Sequence, residues 1–121
     1  MELQFAGAVL DLAVTDLDRA ETFFAALLGG PSDLRPQPDQ REWRLCRTPE
    51  VAFRITADPT AAGHGRLSVG VADLAKERAR LAHHWPDLPE ATVKPGVIAL
   101  LRLTDPDGNA VTLWQDLLGT R

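Results

Sequence analysis

The chain has 121 residues, 45% of them hydrophobic and 25% charged, values of an ordinary folded domain and not of a disordered tail. A formal charge of -4 argues against the basic face that nucleic-acid binding requires, and no apolar run approaches the ~20 residues of a membrane span. The single cysteine, Cys46, rules out an internal disulfide and any multi-thiolate metal site, and the opening Met1-Glu2-Leu3-Gln4 carries no export signal, so a cytoplasmic protein is expected.

The first predicted element is a strand over Ala8–Val14, an apolar run interrupted by one carboxylate, Asp11. Asp16 follows at a helix N-cap position, with Thr15-x-x-Asp18 as a competing capping box. Leu17, Ala20, Phe23, Phe24, Leu27 and Leu28 then recur at helical spacing, and Gly29-Gly30-Pro31 ends the helix. The proline-rich stretch from Pro31 to Gln40 reads as a loop with room for a short edge strand. Arg41–Arg47 alternates polar and apolar residues as a half-buried strand does, and Thr48-Pro49-Glu50 turns it into a strand over Val51–Thr56.

Asp58 to Gly63 has the composition of a linker, after which the order repeats. Arg66–Val71 is a strand, Asp73 caps a helix carrying Leu74, Leu81 and Trp85, and Pro86 stops that helix. Ala91–Val93 is a weak strand and Val97–Leu103 a strong one. Asp105-Pro106-Asp107-Gly108-Asn109 supplies a tight turn, and Ala110–Gln115 returns as the second arm of a hairpin. Val14, Asp16 and Leu17 of the first half fall on Val71, Asp73 and Leu74 of the second, so each half reads strand, helix, then two or three antiparallel strands.

With this pattern the chain resembles the vicinal oxygen chelate superfamily, which includes glyoxalase I, extradiol dioxygenases, and bleomycin- and fosfomycin-resistance proteins. The phrase Val14-Thr15-Asp16-Leu17-Asp18-Arg19-Ala20, with Phe23-Phe24 and Leu28-Gly29, is similar to that family's opening strand–helix signature. Asp105-Pro106-Asp107-Gly108-Asn109, followed by Val111 and Leu113-Trp114, is similar to its closing hairpin. The resemblance implies an α+β fold of two βαβββ modules whose curved mixed sheets surround a cavity, commonly in a homodimer. Module one is then expected over 7–58, a linker over 59–64 and module two over 65–116, all within one glyoxalase-like domain.

The superfamily's usual chemistry uses a divalent metal held by His, Gln or Glu on the first and last strands of each module. Carried onto this chain, those four positions are Val9, Arg66, Thr112 and, on the strand over Val51–Thr56, Arg54. Valine has no lone pair to give, arginine is a permanent cation and threonine is a weak ligand, so no metal or other cofactor is expected. Side chains at every second strand position share a face. Asp11, Arg54, Arg66, Ser68, Thr112 and Trp114 are accordingly the expected ligand-binding residues. The chain has eleven arginines and two lysines, and arginine is the better residue for holding planar anions.

One reading of these six residues is functional: Arg54 and Arg66 hold an oxyanion, Trp114 stacks on an unsaturated group, and Asp11 orients a guanidinium or accepts a proton. The other is structural, with Asp11 and Arg66 as a partly buried ion pair. His64 reads as part of a Gly-flanked surface loop, His83-His84 as cations at a helix C-terminus, and Cys46 as a small packing residue. Trp43, Phe53 and Trp85 read as core or interface. Three functions follow. The first is binding of a small anionic or aromatic ligand without a metal. The second is a metal-dependent glyoxalase-type lyase or isomerase, or extradiol-type dioxygenase, with His64, Asp11 or Glu42 recruited as ligands. The third is a dimeric scaffold without a ligand.

Overall fold

The computed structural model describes residues 2–119. The element order is β1 (Gly7–Val14), α1 (Leu17–Leu28), β2 (Gln40–Arg47), β3 (Glu50–Ala57), β4 (Arg66–Gly70), α2 (Leu74–Leu81), β5 (Thr92–Lys94), β6 (Ile98–Thr104) and β7 (Ala110–Asp116). This is the α+β arrangement of two strand–helix–strand modules expected from the repeat. Each module opens with a strand parallel to its last strand and otherwise antiparallel: β1-β3-β2 in sheet one and β4-β7-β6-β5 in sheet two. Sheet one lacks a full fourth strand. Within the proline-rich loop only Leu34 bridges to Glu42, because prolines remove the donors a longer ladder needs.

The internal repeat is visible in the caps. Asp16 accepts from the Arg19 amide at 3.1 Å, and Asp73 accepts from the Lys76 amide at 3.1 Å. Thr15 does not cap α1; its amide donates to Asp107 of the closing turn, 3.1 Å away. Gly29 ends α1 in the left-handed region at φ 90°, where glycine carries no Cβ penalty. Helix α2 is shorter than its apolar spacing predicts. It ends at Leu81; the His83 and His84 amides close tightened turns on Arg80 and Leu81, while the Ala82 and Trp85 amides still bond four residues back to Arg78 and Leu81. The proline at 86 disfavours helical geometry at Trp85, so these turns go no further.

Leu12, Val14, Trp43, Phe53 and Ile55 of sheet one pack against Phe24 and Leu27 of α1. Leu67, Val111, Leu113 and Leu101 of sheet two join Leu74 and Leu81 of α2 in the same continuous core. The helical sides of the two sheets therefore share one apolar interior, and their other faces turn away from it. Phe23 stacks on Trp85 at 4.8 Å, and the Arg80 guanidinium donates to the Ala26 and Leu27 carbonyls at 2.7 and 2.6 Å. Helix α1 has no basic residue in its last turn, so Arg80 of the other module satisfies its terminal carbonyls.

The closing turn also ties the modules together. Asn109 is fully buried. Its amide nitrogen donates to the Ala13 carbonyl at 2.9 Å and to Asp105 at 2.8 Å, while its oxygen accepts from the Gly65 amide at 2.8 Å. The Asp105 carboxylate further accepts from the Asn109 and Asp107 amides. The sequence signature at residues 105–109 is thus a structural latch as well as a turn.

Candidate functional site

Strand register decides which side chains share the faces turned from the core. In sheet one, Val9 lies beside Ala52, Asp11 beside Arg54, and Arg54 beside Glu42. In sheet two, Ser68 lies beside Thr112, Thr112 beside Arg102, and Gly70 beside Trp114. Asp11–Arg54 in module one therefore corresponds to Ser68–Thr112 in module two, so Arg54 is the register counterpart of Thr112. Of the six expected residues, Asp11 and Arg54 meet on sheet one, whereas Arg66, Ser68, Thr112 and Trp114 gather on sheet two.

On sheet one the one guanidinium is matched by two carboxylates. Arg54 donates to Glu42 through Nε at 3.0 Å, its Nη2 lies 2.9 Å from the same carboxylate oxygen, and its Nη1 lies 3.9 Å from Asp11. Asp11 also accepts from the Thr56 hydroxyl at 3.0 Å, and Gln40 donates to that hydroxyl at 3.3 Å. Asp11 thus pairs with Arg54, and the ion pair with Arg66 weighed above does not form. Glu42 is nearly buried, at 7% exposure, so the guanidinium serves first to neutralise it. Beside this cluster a pocket of about 340 Å³ is lined by Val9, Glu42, Glu50 and Ala52.

Sheet two presents the opposite electrostatics. A pocket of about 510 Å³ is lined by Arg66, Ser68, Arg102, Thr104, Ala110 and Thr112, with Leu67 and Leu103 between them. No Asp, Glu or His lines it. Among the described residues, Arg66 and Arg102 form no ion pair and the three hydroxyls no hydrogen bond, so the pocket offers only unused donors and hydroxyls. Two residues along β7, Trp114 is 36% exposed and its indole lies flat enough on Gly70 that a Cβ there would sit 2.8 Å from the ring.

Arg102 was not among the expected residues. The turn at 105–109 places Thr104 opposite Ala110 and hence Arg102 opposite Thr112, so strand alternation alone could have found it. Other expectations sort simply. Trp43 and Phe53 are core, and Trp85 is half-buried in the stack on Phe23. His64, His83 and His84 are exposed. Cys46 is exposed instead of packed, because a bulge between Arg44 and Cys46 turns the end of β2 outward.

Two linked modules, each with a parallel first and last strand and an outward sheet face, define the fold of the vicinal oxygen chelate superfamily. A family model described as a glyoxalase-like domain matches residues 7–114, and the chain belongs to that family. A search of curated protein sequences gave no match. The structure is similar to a glyoxalase/bleomycin resistance protein from Catenulispora acidiphila, with TM-score 0.81 and 20% identity over 92% of this chain and 98% of that one. It is also similar to an antibiotic-binding protein from a Streptomyces species (TM-score 0.69, 22% identity, 96% and 98% covered). A lactoylglutathione lyase from Agrobacterium tumefaciens aligns with TM-score 0.70 and 17% identity, over 92% and 93% of the two chains. At such identities these likenesses establish the fold.

The superfamily's divalent metal does not fit the residues present. The four strand positions hold an aliphatic side chain, two guanidiniums and one hydroxyl, none of which suits a hard or borderline cation. Among the described residues no three His, Cys, Asp or Glu side chains come together in a way that could hold a metal ion, so His64, Asp11 and Glu42 do not assemble as substitutes.

Proposed function

We propose that this protein binds a small organic anion with an unsaturated or aromatic part on the outer face of sheet two, without a metal. The observation that carries this reading is the pocket bounded by Arg66, Ser68, Arg102 and Thr112, whose guanidiniums and hydroxyls have no partner among the described residues. Guanidinium forks match planar oxyanions, and Trp114 on the adjacent stretch of β7 supplies a surface for stacking. Asp11 and Arg54 have a different role in this reading: they complete the Glu42 cluster and shape sheet one. The likeness to an antibiotic-binding protein supports a binding function of this kind.

We further propose that the protein works in the cytoplasm as a homodimer. The outward face of sheet one carries an exposed apolar residue, Val9 at 50%, which association would cover.

The test is a panel of small carboxylates, phosphates and neutral aromatics, read by melting temperature with a chelator present. A ligand at one hundred times its dissociation constant stabilises by about 2.7 kcal/mol. Stabilisation by acids but not by neutral analogues is expected. Stabilisation by none of them, or only after a divalent metal is added, would overturn the reading.

A further inference from the structure

We infer that the sheet-two pocket selects a doubly charged head group, of the phosphate-monoester or phosphonate type, over a singly charged one. This rests on the ligand-binding reading and narrows it. Two permanent cations, Arg66 on β4 and Arg102 on β6, line one pocket of about 510 Å³. Strand β7 runs between them and contributes Ala110 and Thr112 to the lining. Strands lie about 4.8 Å apart, so the two arginine backbones are on the order of 10 Å apart across β7. Two long side chains can close that gap over one head group, with Thr112 beneath it.

The chemistry of the lining sets the charge. The charged groups facing the pocket are Arg66 from β4 and Arg102 from β6; β7 contributes none. Arg41, Arg54 and Arg80 face carboxylates, Glu21 with Asp18, Glu42 with Asp11, and Glu77 respectively, whereas the two pocket arginines share one space with no carboxylate in it. A single negative charge would leave one of the two pocket cations uncompensated beside the other, whereas a dianion neutralises both. Ser68, Thr104 and Thr112 add three hydroxyl donors around the same space. Two guanidiniums and three hydroxyls suit a tetrahedral head with three acceptor oxygens better than a carboxylate with two.

The discriminating probes are phenyl phosphate and phenyl sulfate, which share a shape and differ in charge. A phosphate monoester takes its second charge near pH 6, so it is dianionic at pH 8 and largely monoanionic at pH 5. No Asp, Glu or His lines the pocket, so titration there belongs to the probe, and phenyl sulfate reports any effect of pH on the protein. Calorimetric titration of the full chain should show phenyl phosphate binding at least about ten-fold tighter than phenyl sulfate at pH 8. That preference should vanish at pH 5. Arg102→Gln and Arg66→Gln should each reduce phosphate binding to the sulfate level, and Arg102→Lys should retain part of the preference. Melting temperatures of these variants should match the parent, since neither arginine is paired among the described residues. Equal affinity for the two probes, or a preference unchanged at pH 5, would overturn the dianion inference while leaving anion binding intact. Failure of both probes to bind overturns it too. If the wider acid panel is also silent, the ligand-binding reading falls with it.

Discussion

Asn109, at the tip of the closing hairpin, donates to the carbonyl of Ala13 at the end of the first strand, 2.9 Å away. This bond joins the two modules, and the rest of the Asn109 side chain is spent on Asp105 and Gly65 within module two. A fully buried amide with every group engaged leaves several unsatisfied partners when it is removed. Asn109→Ala should therefore cost about 3 kcal/mol, a large fraction of a small domain's stability. Asn109→Asp should not rescue it, because a carboxylate cannot donate to Ala13 and faces the Asp105 carboxylate. Chemical denaturation of the two variants measures both effects. A loss under about 1 kcal/mol for Asn109→Ala would show that the latch adds little.

Arg54 on β3 and Arg66 on β4 both lie on outward sheet faces but differ in what surrounds them. Removing Arg54 leaves the nearly buried Glu42 carboxylate without its cation, so Arg54→Ala should destabilise by about 2 kcal/mol. Affinity for an anion on sheet two should change by less than about two-fold, since the two groups lie on different sheets. Arg66→Ala should do the reverse. Denaturation and ligand titration of both variants separate these roles.

Gly70 is the neighbour on which the Trp114 indole rests. A methyl group there would meet the ring at 2.8 Å, so Gly70→Ala should tilt the indole outward. Trp114 is partly exposed, and the cost in stability should stay near 1 kcal/mol or less. Aromatic anions should lose affinity more than non-aromatic ones, in titrations of matched pairs. An equal loss for both would mean that Trp114 does not stack on the ligand.

Glu21 joins α1 to β2 by accepting from Arg41 at 2.7 Å and from the Ser32 hydroxyl and amide at 3.0 and 3.2 Å. Burial alone would raise its pKa, but the bond from Arg41, the bonds from Ser32 and the charge of Arg41 together hold it below the ordinary 4.5. A carboxyl with a depressed folded pKa adds stability that is present above 4.5 and is lost as pH falls through its folded value. Glu21→Gln should lower stability at pH 7 and flatten the decline below pH 4.5. Parallel stability curves for the two proteins from pH 7 to 3 would contradict this.

The fold was largely legible because its signals are local. Asp16 and Asp73 announce their helices by cap chemistry, and Gly29 ends α1 by its freedom at positive φ. The turn at 105–109 likewise fixes the register of β6 and β7. The β2–β3 hairpin is different. Counted from its turn without interruption, Trp43 would fall opposite Arg54. The bulge between Arg44 and Cys46 shifts the pairing so that Trp43 meets Phe53 and Glu42 meets Arg54. One inserted residue thus sends the indole to the core and the carboxylate to the guanidinium. No periodicity in Arg41–Arg47 reveals it, which is why Arg54 read as a ligand clamp and not as the partner of Glu42. Arg102 was within reach of alternation, once Thr112 had been placed on the site face.

The most direct measurement is a crystal structure of this chain with phenyl phosphate, grown in the presence of a chelator. The expected result is a phosphate oxygen about 2.7–3.0 Å from the Arg66 guanidinium, on the outer face of sheet two. A molecule held beside Asp11 and Arg54 on sheet one would contradict the assignment. So would a complex that forms only after a divalent metal is restored.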